Sequence, residues 1–148
     1  MRARTLVGRS IEAELIIVYP DLVRDHYKNP RNAGNVADPS GKALVRSSFD
    51  SDTVLVTLRI TNGLIEDIKF KCSGCPVAIA CSSVATEMVK GKSVEEAYRI
   101  SKDAVAEALG GIPDYKMMCS NLAPDAIRLA IDNWRSDSKT DPGGVSTT

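Results

Sequence analysis

The alternation of apolar and polar residues is clearest between positions 53 and 72. Val54, Val56, Leu58 and Ile60 share one parity, while Thr53, Thr57 and Arg59 take the other. That is the period-two signature of a strand with one buried face. Asn62-Gly63 comes next, the pair favoured in a two-residue type I′ turn because both positions need positive φ. The returning segment alternates Ile68, Phe70 and Cys72 against Asp67, Lys69 and Lys71. The pattern predicts an antiparallel hairpin over residues 53–60 and 64–72, and residues 44–49 read as a first strand.

After Gly74 the period becomes helical. Val77, Cys81, Val84 and Met88 fall at i, i+4, i+7 and i+11, the apolar stripe of an amphipathic helix that Gly91 ends. Ser93 and Glu96 have the spacing of a capping box for the next helix. A third helix is expected over 102–109, stopping at Gly110-Gly111. The last is expected over 122–134, with Ala123, Ile127, Ala130, Ile131 and Trp134 on one face. Upstream, Ser10 can cap a short helix over 11–18, Pro20 interrupts it, and residues 21–27 form another before the turn-rich loop 29–34. The expected fold class is α+β, a small antiparallel sheet of about three strands packed on one face by the C-terminal helices. Its expected layout is an N-terminal extension (1–18), a single domain body (19–136) and a tail (137–148) whose Asp-Pro-Gly-Gly and Ser/Thr content reads as disordered.

Composition adds exclusions. Lys and Arg number 19 and so do Asp and Glu, so no global field draws the chain to nucleic acid or to an anionic membrane, although a local patch remains open. No apolar run is long enough to span a bilayer, and the N-terminus lacks the pattern of a signal peptide. The expectation is a cytoplasmic protein in a reducing compartment, with Cys72, Cys75, Cys81 and Cys119 as buried thiols or metal ligands rather than disulfides. Phosphate-binding glycine loops and the serine-hydrolase elbow do not occur.

Each cysteine has a bland and a sharp reading. Cys81 lies on the helical stripe and reads as a small buried hydrophobe. Cys72 shares parity with Phe70 and reads as core, yet Cys72-Ser73-Gly74-Cys75 is also a C-x-x-C at a strand end. Cys75 lies between Gly74 and Pro76, and Pro favours the first helical position, so its thiol is expected at a helix N-terminus where a thiolate is stabilised. Cys119 reads the same way, with Ser120 or Asn121 as cap of the last helix and Pro124 in its first turn. Two such thiols favour a thiolate metal site or sulfur chemistry over coincidence. Asp50 and Asp52 share a face at the mouth of the main strand and offer hard oxygen ligands, or are solvated turn carboxylates. His26, the one histidine, reads as structural.

Several segments in one order resemble the NifU/IscU-type family. His26-Tyr27-Lys28-Asn29-Pro30-Arg31-Asn32-Ala33-Gly34 is similar to its opening motif. Ile65 to Lys71 with Gly74-Cys75 resembles the family's hairpin and second cysteine, and Ala78 to Ser83 with Val89 to Lys92 resembles its next helix. Cys119 to Ala123 with Asp125-Ala126-Ile127 resembles its third-cysteine helix. The resemblance implies a scaffold on which a cysteine desulfurase delivers sulfur and iron joins it, building a [2Fe–2S] or [4Fe–4S] cluster for transfer to apo iron–sulfur proteins. It implies Cys75, Cys119 and Asp52 as ligands. The family's first cysteine belongs to a C-G-D motif that reads Asp50-Ser51-Asp52 here, so Asp50 stands at the cysteine position. Met118 stands where the family commonly has His, and Ile112-Pro113-Asp114-Tyr115-Lys116 retains one proline and the lysine of the chaperone-binding L-P-P-V-K motif. A carboxylate holds Fe–S iron less well than a thiolate. Asp50 is the expected fourth donor, Cys72 is its rival, and a homodimer sharing the cluster is a further arrangement. Two alternatives stand beside the scaffold: a sulfur acceptor of the SufU kind with zinc in place of the cluster, and a cluster-less regulatory paralogue.

Overall fold

The structure, a computed structural model, describes residues 20–48 and 51–139. The helix expected over 11–18, Asp50 and the chain beyond 139 lie outside the described residues. In chain order the elements are α1 (Asp21–Lys28), β1 (Gly41–Arg46), β2 (Thr53–Thr61), β3 (Leu64–Ser73), α2 (Pro76–Val89), α3 (Val94–Tyr98), α4 (Lys102–Ala108), a 3₁₀ helix (Asp114–Asn121) and α5 (Leu122–Lys139).

The strands form one antiparallel sheet in the order β1-β2-β3. The expected hairpin is present, running from Thr53↔Ser73 to Thr61↔Leu64. Its turn residues Asn62 and Gly63 both have positive φ (54° and 76°), as a type I′ turn requires. The first strand is shifted from the expected 44–49 to Gly41–Arg46. Its inward residues Gly41, Ala43 and Val45 are small, which conceals the alternation. The reason is α5, which crosses them closely: a Cβ on Gly41 would lie 2.4 Å from the carbonyl oxygen of Ala130.

Among the described residues, the helices that reach the sheet core lie on one face of it. Ala43, Val54, Val56, Leu58, Ile68 and Phe70 meet Val77, Cys81, Ala123, Ile127, Ala130 and Ile131 in one buried cluster. Helix α2 departs from the amphipathic expectation. Ala78, Ser82, Ser83 and Thr86 are buried along with Val77, Cys81 and Val84 of the predicted stripe, and α1 with the loop after it covers Ser83 and Thr86. There His26 Nδ1 lies 2.7 Å from Ser83 Oγ, which also accepts the Arg31 N–H (2.8 Å), and Asn32 Nδ2 donates to Thr86 Oγ1 (3.1 Å). The same loop closes the outer edge of β3: Phe70 N–H donates to Asn32 O, and Gly34 N–H to Phe70 O. The capping box of Ser93 and Glu96 forms at α3. Helix α5 continues to Lys139, three residues into the expected tail.

Candidate metal centre

The site forms where the open end of the hairpin meets the start of α2. Asp52 immediately precedes β2, and its carbonyl accepts the Ser47 N–H (2.8 Å), which ties the β1–β2 connection shut. Asp52 as a whole is almost buried, at 9% exposure, and its carboxylate accepts the Cys75 N–H at 3.4 Å. Gly74 makes this approach feasible. A Cβ there would stand 2.7 Å from Asp52 Cγ, inside the van der Waals limit.

Cys75 is the N-cap of α2, with Pro76 as the first helical residue, as the sequence predicts. Its Sγ accepts the Ala78 N–H (3.4 Å). Cys119 arrives from 44 residues away and places its Sγ 3.6 Å from that of Cys75. One ligand atom each from Asp52, Cys75 and Cys119 lies within 4.8 Å of the others. Two sulfurs bound at about 2.3 Å to one tetrahedral metal would be separated by roughly 3.8 Å. The thiol pair is therefore already spaced as two corners of one coordination sphere.

Electrostatics separate the four cysteines. Cys75 is drawn down to about 6, first by the hydrogen bond from Cys119, then by the helix N–H groups and the Lys116 ammonium, against the opposing effect of burial. Cys119 moves upward because it is the donor in that bond, with burial second. The metal-free pair thus holds one proton between two sulfurs, and a soft cation would replace it. The expectation places both thiols at helix N-termini, where a thiolate is stabilised, and only Cys75 is found there. Cys119 does not start a helix: it lies in the 3₁₀ helix, which runs directly into α5. Ser120 Oγ donates to Met117 O, and Asn121 Nδ2 to Asp125 Oδ2, so neither residue acts as the expected cap.

Cys72 is half-buried on the core side of β3 and stands outside the three-donor group. Burial and the Asp52 charge push its thiol up to about 12, partly offset by a hydrogen bond with Ser82. Cys81 is fully buried in α2 and its thiol is raised by burial. Asp50 lies outside the described residues. Met118 is 38% exposed. His26 is remote from the donors and serves the α1–α2 contact.

Sequence reading missed two contributors. Gly74 read only as the residue before Cys75, and no local signal announces that a carboxylate presses on it. Lys116 lies three residues before Cys119, and its charge favours the thiolate form of both site cysteines. Helical spacing alone would have suggested that proximity.

The chain matches the family model described as NifU-like N terminal domain over residues 18–141. It is 51% identical over 125 residues to the iron-sulfur cluster assembly scaffold protein IscU 1 of Archaeoglobus fulgidus, covering 84% of this chain and 82% of that one. It is 39% identical over 118 residues to the iron-sulfur cluster assembly scaffold protein IscU of Aquifex aeolicus (78% and 75%). Among solved structures, a putative iron-sulfur cluster assembly scaffold protein for the SUF system of Fervidobacterium islandicum superposes with a TM-score of 0.65. It is 20% identical, covers 78% of this chain and 97% of that chain, and supports the fold alone. With the hairpin, the helical face and the thiol pair all in place, the chain belongs to the NifU-like N-terminal domain family.

Proposed function

We propose that the protein is a scaffold for iron–sulfur cluster assembly and that Asp52, Cys75 and Cys119 hold its cargo. The observation that carries this reading is the convergence of two thiols and one carboxylate, distant in sequence, on a common centre. Thiolates are the ligands that retain iron in Fe–S clusters, and a carboxylate in the set weakens retention, which suits a carrier that must release what it builds. The relatives named as IscU scaffolds support the same function.

The cargo is iron with sulfide, as a [2Fe–2S] or [4Fe–4S] cluster. A cysteine desulfurase supplies the sulfur, and apo iron–sulfur proteins receive the product. Asp50, at the family's first-cysteine position, is the proposed further ligand, with Cys72 its rival. Zinc is a second occupant, because two sulfurs at 3.6 Å and an adjacent carboxylate also suit a tetrahedral ion.

Anaerobic reconstitution with ferrous iron and sulfide, followed by iron and sulfide analysis and a visible spectrum, tests the reading. The expected result is a coloured protein with acid-labile sulfide that loses its cluster to an apo-ferredoxin. Stoichiometric zinc that iron and sulfide cannot displace would favour the sulfur-acceptor alternative, and a protein that takes up neither would refute the scaffold reading.

A further inference from the structure

The two site sulfurs are also placed for chemistry with each other. Of the four cysteines, Cys75 and Cys119 are the pair in sulfur–sulfur contact, at 3.6 Å. An S–S bond is about 2 Å long, so the sulfurs would close by roughly 1.6 Å to form one. Their exposure differs. Cys75 is partly exposed at the start of α2, whereas Cys119 is buried, at 4% exposure. A solute therefore reaches the Cys75 sulfur first, and the sulfur it meets already touches a second one.

The helix start makes Cys75 the attacking member of the pair. Its Sγ accepts the Ala78 N–H (3.4 Å) at the positive end of the 14-residue α2. The other two thiols lack one or both features. Cys81 is fully buried in the core. Cys72 is partly exposed, but its side-chain hydrogen bond is with Ser82, and no second sulfur lies against it among the described residues. An accessible thiol in contact with a buried one is the arrangement in which an oxidised sulfur is captured as a disulfide before it is oxidised further.

We propose that Cys75 and Cys119 form an oxidative modification site, which a hydroperoxide closes to an intramolecular disulfide when the thiols carry no metal. In the first step the Cys75 sulfur attacks one peroxide oxygen and the O–O bond breaks. The sulfur is oxidised by two electrons to a sulfenic acid, and the leaving hydroxide takes up the thiol proton as water. In the second step the Cys119 sulfur attacks the Cys75 sulfur, the S–S bond forms and the S–O bond breaks. The hydroxyl leaves with the Cys119 proton as a second water. Two thiols and one peroxide thus give one disulfide and two waters. Both sulfurs are then lost as thiolate ligands until a dithiol reductant returns two electrons. The inference rests on the contact and unequal exposure of the two sulfurs, so it stands or falls separately from the scaffold reading.

The test uses the full-length metal-free protein, freed of reductant under argon, treated with one equivalent of hydrogen peroxide and then blocked with N-ethylmaleimide. Free thiols should fall from four to two and return to four after dithiothreitol. Tryptic mapping should join residues 72–90 to residues 117–128, with fragmentation placing the bridge between Cys75 and Cys119. Cys119→Ser should leave Cys75 as a sulfenic acid that dimedone traps, while Cys72→Ser should close the bridge as wild type does. Retention of all four thiols would overturn the inference. So would a bridge from Cys72 to Cys75, a bridge between two chains, or conversion of wild-type Cys75 to sulfinic acid without a bridge. The wild-type map decides the pairing even where the Cys119→Ser chain does not fold.

Discussion

Cys75 and Cys119 are the same residue type at van der Waals distance, and their surroundings assign them opposite protonation. The cap position gives Cys75 the helix N–H groups, while the contact with Cys75 and burial push the Cys119 thiol up. In the metal-free protein, alkylation should therefore modify Cys75 first, with a rate that rises with pH around a midpoint near 6. Peptide mapping of iodoacetamide-treated protein between pH 5 and 9 reads this directly. Equal rates at both cysteines, or a midpoint near the ordinary thiol value, would remove the shared-proton arrangement. Gly74 offers a second check. Gly74→Ala sets a methyl group 2.7 Å from Asp52 Cγ, so the carboxylate must leave its place while both sulfurs can stay. The variant should still bind metal through its thiols but exchange it faster to a chelator, as an Asp52→Ala variant would. Unchanged exchange in both would show that Asp52 contributes nothing to retention.

At the scale of elements, α1 is held on α2 by a buried histidine whose ring suits the neutral state. Ser83 Oγ accepts the Arg31 amide and has its own proton free for Nδ1, leaving the ring proton on Nε2, 3.6 Å from Glu87. Burial first, and Arg31 second, lower the His26 pKa, while Glu87 and Asp25 oppose them. The unfolded chain then binds the proton more readily than the folded one. Stability should accordingly fall as pH drops through the unfolded value of about 6.5 and level off below the folded one. Urea denaturation from pH 8 to 5 should show this decline in wild type and much less of it in His26→Gln. An identical decline in both would assign the effect to other groups. The hairpin was legible because its inward residues are large and branched and its turn is Asn-Gly. Strand β1 was misplaced because its inward residues are small where α5 crosses. The polar side of α2 was equally hidden, since Ser82, Ser83 and Thr86 read as solvated until the loop that covers two of them is folded on top.

For the whole molecule, the fold serves to bring three chain segments to one point. The hairpin delivers Asp52, α2 presents Cys75 at its positive end, and the 3₁₀ helix leading into α5 returns Cys119. The sequence marked these residues through helix-end chemistry and family resemblance, but only tertiary packing separates them from Cys72, which has the same C-x-x-C spacing a metal site would use. Among the described residues, no helix is long and apolar enough to cross a membrane. The most direct measurement is anaerobic reconstitution of Cys75→Ala, Cys119→Ala and Cys72→Ala side by side, scored by iron, labile sulfide and visible absorption. The account predicts that each of the first two loses the cluster and that Cys72→Ala keeps it. A cluster that survives in Cys119→Ala and disappears in Cys72→Ala would contradict it and make Cys72 and Cys75 the working pair.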